Sequence, residues 1–95
     1  MNKESKNMNI LDKAKTLING DRQKQYGDSR SMCIHIANMW NAYLRLKGDN
    51  RIRPTDVPMM MAQFKMCRES YKHKEDNLVD MCGYIGLLEK MRKEK

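Results

Sequence analysis

Apolar residues recur at the helical period in four separate stretches, and a chain-turning signal closes each of the first three. Ile10, Leu11, Ala14, Leu17 and Ile18 share one helical face. Asn19-Gly20 stops that helix, because glycine takes the left-handed conformation at low cost. Met32, Ile36, Met39, Trp40 and Tyr43 make a second stripe, capped by Asp28 or Ser29, running to about Lys47 and ended by Gly48-Asp49-Asn50. Arg51–Pro54 is extended, since a residue before proline avoids the α region. Thr55 is placed to cap a third helix, with Pro58 in its first turn where a missing N–H costs little. Val57, Met60, Met61, Phe64, Cys67 and Tyr71 form its apolar side. Tyr71-Lys72-His73-Lys74 turns the chain, Glu75 or Asp76 opens the fourth helix, and Leu78, Val79, Cys82, Ile85 and Leu88 are expected to face a core. Gly83 and Gly86 weaken that helix by roughly 1 kcal/mol each relative to alanine. They point to close approach by another helix or a ligand.

The pattern gives an all-α fold: a compact four-helix domain over residues 9–93, preceded by a flexible polar arm at residues 1–8. Ten methionines, few β-branched residues and two prolines agree with it. With 95 residues the chain buries only about two thirds of the surface it exposes when unfolded, so its core is thin. A homo-oligomer is therefore expected. No apolar run approaches the roughly 18 residues of a membrane span, and the first residues lack a signal peptide's apolar middle. A cytoplasmic location follows as the expectation. Cys33, Cys67 and Cys82 are odd in number and form no CxxC pair, which excludes a zinc ribbon and favours reduced packing residues.

Nineteen Lys and Arg against twelve Asp and Glu give a net charge of +7 and suggest an anionic partner. Part of that excess lies in the last six residues, Lys90–Lys95, and is a solvated end. Lys65 and Arg68 stand one turn apart beside the apolar face of the third helix. Such like charges repel slightly unless an anion lies between them. Arg68 could hold a phosphate bidentately and Lys65 could act as a point charge. The plainer reading is a solvated basic edge, or ion pairs to the fourth helix. Asp76, Asp80 and Tyr84 follow one another at i, i+4 and i+8. A carboxylate within so apolar a stretch as Asp80 should be paired or functional. The choices are a salt bridge to Lys65, Arg68 or Arg22, a metal ligand, or an acceptor for a ribose hydroxyl. In the loop Asp21–Asp28, Arg22 could reach a phosphate, Gln25 adds an amide, Tyr26 could stack on a base, and Asp28 begins a helix whose N–H groups attract anions. A plain capping loop is the competing reading. No P-loop, nucleophile elbow, dinucleotide fingerprint or zinc motif is present.

The segments NGDRQKQYGD at 19–28, IANMWNAYL at 36–44, PTDVPMMMAQFKMCR at 54–68 and DNLVDMCGY at 76–84 together resemble a small phage and prophage family catalogued as a domain of unknown function. The resemblance covers about residues 9–91. It implies that Asp21, Arg22, Tyr26, Gly27, Asp28, Trp40, Asp56, Lys65, Arg68, Asp76, Asp80, Gly83 and Tyr84 are signature positions. The YGD loop and the D-x-x-x-D-x-x-x-Y helix are also faintly similar to nucleotide-modification-associated phage domains. They are more distantly similar to all-α pyrophosphohydrolases of the MazG kind. Those enzymes hold Mg²⁺ with acidic pairs on consecutive helices, where this chain has Lys65 and Arg68 on the third.

The leading expectation is a phage-type protein that binds a small nucleotide, such as a cyclic nucleotide or an ADP-ribose-like defence signal, and sequesters it without a cofactor. Its ligand residues would be Arg22, Gln25, Tyr26, Asp28, Lys65, Arg68, Asp76, Asp80 and Tyr84. The alternative is a MazG-like Mg²⁺-dependent pyrophosphohydrolase using Asp76, Asp80, Glu69 and Asp28. A nucleic-acid or protein-binding module ranks third, because the basic residues are scattered.

Overall fold

The computed structural model describes residues 9–20 and 28–94, and within them every regular element is helical. The expected polar arm at residues 1–8 lies outside the described residues, as does the loop 21–27. Helix α1 spans Ile10–Asn19, α2 Ser29–Lys47, α3 Asp56–Tyr71 and α4 Glu75–Lys93. Asn9 caps α1 by accepting a hydrogen bond from the Asp12 N–H at 2.8 Å. Asp28 caps α2 in the same way, accepting from the Ser31 N–H at 3.0 Å. Gly48 closes α2 in the left-handed region (φ 80°), and its N–H donates to the carbonyls of Leu44 and Arg45. Gly20 ends α1 without that conformation, at φ −114°.

Thr55 does not cap α3. Its backbone is already helical and its side chain makes no capping bond. Instead the Asp56 carboxylate, on the first residue of the helix, reaches back to accept from the Arg53 N–H at 2.8 Å, which fastens the preceding segment to the start of α3. Pro58 sits in the first turn, fully buried.

α3 is the hub, with α2 and α4 packed against it in antiparallel fashion. The α2 stripe is as expected: Ile36 is buried, and Met32, Met39, Trp40 and Tyr43 are half-buried. Trp40 Nε1 donates to the Met60 carbonyl at 2.8 Å, which ties α2 to the middle of α3. Met60, Ala62 and Cys67 are the buried apolar residues of α3, whereas Val57 and Tyr71 are exposed.

The fourth helix reverses its expected orientation. It meets α3 through buried Asn77 and half-buried Asp80, Met81, Tyr84 and Leu88. Leu78, Val79, Cys82 and Ile85 face outward, with Val79 58% and Ile85 50% exposed. The reason is polar. Asn77 and Asp80 have partners on α3, and burying them with those partners fixes which side turns inward. α1 likewise has no buried residue, and its apolar stripe is exposed. The chain extends 50 × 29 × 25 Å with a radius of gyration of 16.6 Å. A compact domain of this length would have about 12 Å.

Two buried polar knots hold the ends of α3. At its start, Asp56 accepts from Tyr43 Oη at 2.7 Å, Lys47 Nζ at 2.6 Å and the Arg53 N–H. The Lys47 ammonium, then the Arg53 N–H and the Tyr43 hydroxyl, hold the Asp56 carboxyl far below the usual carboxylate range. Burial, with the Asp56 carboxylate beside it, pushes the Tyr43 phenol up to about 12. At the other end, Glu69 accepts from His73 Nδ1 at 2.5 Å, the Lys74 N–H at 3.1 Å and Asn77 Nδ2 at 3.2 Å. Those bonds, His73 first, lower the Glu69 carboxyl as well. They clasp the α3–α4 turn.

Candidate functional site

The antiparallel packing brings the start of α2, the end of α3 and the start of α4 to one end of the molecule. Asp28 and the last turn of α3, which carries Arg68, therefore lie toward the same end as the α3–α4 turn, with Asp76 in the first turn of α4, Asp80 one turn further in and Tyr84 the next. Arg22, Gln25 and Tyr26 lie outside the described residues.

Along the seam of α3 and α4, Lys65 Nζ is 2.8 Å from Asp80 Oδ2, which selects one of the pairings the sequence left open. The Lys65 side chain is 16% exposed and that of Asp80 43%. The lysine thus lies largely covered in the seam, and the aspartate is the more exposed partner. One turn on, the Arg68 guanidinium stacks on the Phe64 ring at 4.2 Å from its centroid, while Lys65 Nζ lies 5.9 Å from the same centroid. One aromatic ring therefore orients both cations. Tyr84 follows Asp80 by one turn of α4 and is half-buried on the same inner side.

Beside this seam a groove of about 370 Å³ opens between α2 and α3, lined by Asp28, Ser31, Met32, His35, Cys67, Ser70 and Tyr71. Its size suits a small organic ligand, and its wall mixes hydroxyls and an imidazole with apolar side chains. The Ser70 hydroxyl donates to the Cys67 carbonyl at 2.7 Å. Burial pushes the Cys67 thiol up, so it stays protonated near neutral pH and is a poor nucleophile. Cys33 and Cys82 are free and exposed rather than packed in the core. Spacing alone cannot reveal this groove, because its lining comes from two helices whose relative placement spacing does not encode. Of the ligand residues expected from the sequence, Asp28 alone lines it.

Three of the four carboxylates that the hydrolytic alternative would use are engaged elsewhere. Asp28 caps α2, Glu69 clasps the turn and Asp80 pairs with Lys65. Among the described residues, no three of His, Cys, Asp or Glu converge as a metal site requires. No helix among them is long and apolar enough to cross a membrane.

Residues 9–92 match the family described as a domain of unknown function, DUF6378. The chain is 41% identical over 87 residues to the Gene 55 protein of Mycobacterium phage L5, covering 90% of this chain and 53% of that protein. It is 34% identical over 86 residues to the Gene 55 protein of Mycobacterium phage D29, covering 90% and 54%. The chain thus spans about half the length of the curated relatives it matches. No solved structure matches it.

Proposed function

Since the chain belongs to the DUF6378 family, with phage proteins among its relatives, we propose that it is a phage-type small-nucleotide-binding protein that holds its ligand without hydrolysing it. The ligand carries phosphate together with a ribose or base, as a cyclic nucleotide or an ADP-ribose-like signal does. Sequestering such a signal would blunt a host defence that depends on it.

One observation carries this reading. Two cations on consecutive turns of α3, Lys65 and Arg68, are held in place by Asp80 and by the Phe64 ring at the surface of the α3–α4 seam. Cations already oriented lose less side-chain entropy on meeting a phosphate. Arg68 takes the phosphate through its planar fork, Lys65 adds charge, and Asp76 or Asp80 accepts ribose hydroxyls. Tyr84 supplies an aromatic face. Arg22, Gln25 and Tyr26 join this assignment through the sequence alone, and Asp28 lines the groove. The engagement of Asp28, Glu69 and Asp80 in capping and pairing favours binding over Mg²⁺-dependent hydrolysis.

A thermal-shift panel of linear, cyclic and ADP-ribose-type nucleotides, with and without Mg²⁺, tests the reading. At a hundredfold excess over Kd a ligand stabilises by about 2.7 kcal/mol, which raises Tm by roughly 10 °C or more in a domain this small. The expected outcome is such a shift with the ligand recovered intact by chromatography. Ligand recovered as product only with Mg²⁺ would replace binding by pyrophosphohydrolysis. No shift with any nucleotide would remove the reading.

A further inference from the structure

The outward face of α4 carries exposed apolar side chains and two glycines, and none of the described residues covers it. A β-carbon built at Gly83 or at Gly86 meets no atom within 4 Å, so no intrachain contact requires a glycine at either position. Both glycines nevertheless weaken the helix. Of the fourteen large apolar residues exposed among the described residues, Leu78, Val79, Ile85 and Leu87 lie on α4, and Ile10, Leu11, Leu17 and Ile18 on α1. Apolar side chains clustered on an open helix face are a feature of surfaces that meet another protein.

The sequence of α4 also says how a second copy fits. Glu75, Val79, Cys82, Gly83, Gly86 and Lys90 fall in one exposed stripe along the helix. Two such helices crossing antiparallel about a two-fold axis between Cys82 and Gly83 place Val79 opposite Gly86 and Cys82 opposite Gly83. Each larger side chain then faces a glycine of the other copy, and Glu75 faces Lys90 at both ends. Steric and charge complementarity arise from the same axis.

We infer that a second copy of this chain docks on the outward face of α4, antiparallel about a two-fold axis near Cys82 and Gly83. Glycine lets the two helices approach closely, and Glu75 with Lys90 sets their direction. The interface points away from the Lys65–Asp80 seam, so it stands or falls independently of nucleotide binding.

Sedimentation velocity of the full chain over a hundredfold concentration range reads the association. A dimer is expected. Gly86→Val should weaken it roughly tenfold, because overpacking a close contact is costly, while leaving the helical signal of the monomer unchanged. Glu75→Lys should weaken it, and Glu75→Lys combined with Lys90→Glu should restore it. In a Cys33→Ser background, a short bismaleimide should link two chains through Cys82. A chain that stays monomeric throughout, associating only with some other protein, overturns the proposal. So does a dimer indifferent to Gly86→Val and to the charge exchange.

Discussion

Lys65 is 16% exposed, and its ammonium reaches the more exposed Asp80. In a half-buried pair of this kind the cost of taking the charges from water offsets much of their attraction. The consequence of the pair is positional, since it fixes a cation one turn from Arg68. Removing either cation should therefore cost affinity more than fold. Lys65→Ala and Arg68→Ala should each weaken nucleotide binding by about 1.5–3 kcal/mol, the range for hydrogen bonds to charged groups. That is roughly a tenfold to hundredfold rise in Kd by titration calorimetry. Trp40→Phe supplies the contrast. Losing the bond to the Met60 carbonyl should cost about 1 kcal/mol in chemical denaturation and leave Kd unchanged. Equal affinities across all three variants would move the site away from the α3–α4 seam.

The helices themselves were legible from apolar spacing and turn residues, because those signals act within a few residues. Asp28, Gly48 and Pro58 all play the local parts their types suggest. What spacing cannot convey is which side of an amphipathic helix meets which neighbour. In α4 the apolar stripe was the obvious candidate for the core, yet Asn77 and Asp80 have their partners on α3 and decide the orientation. At the start of α3 the contacts that count are also distant ones: Thr55 makes no capping bond, while the Asp56 carboxylate gathers Tyr43, Lys47 and the Arg53 N–H. The same carboxylates make the fold acid-sensitive. Asp56 and Glu69 lie below their ordinary values, so the unfolded chain binds protons first as pH falls. Their stabilisation is complete above about pH 5 and is lost as pH drops through the ordinary carboxylate range near 4 toward the lowered values. The urea midpoint should fall steeply below about pH 4, and Asp56→Asn should flatten that fall from a lower starting stability. A wild-type midpoint constant down to pH 3 or so would contradict both knots.

As a whole the molecule is a hub helix with a neighbour on each side and two apolar faces turned outward. The outward faces and the cationic seam lie on different sides of α4, so association and ligand binding can coexist in one assembly. A dimer would present two seams, each supplied by its own α3 and α4. The groove beside Asp28 would stay open at both ends of such an assembly, since α4 and not α2 forms the interface. The most direct measurement is equilibrium dialysis of the chain against the nucleotide panel, followed by chromatography of the retained ligand. Saturable retention of one phosphate-bearing nucleotide, recovered chemically unchanged and lost in Arg68→Ala, is the result predicted. Retention of none of them, or recovery of a cleaved product, would contradict a protein that binds and holds a nucleotide.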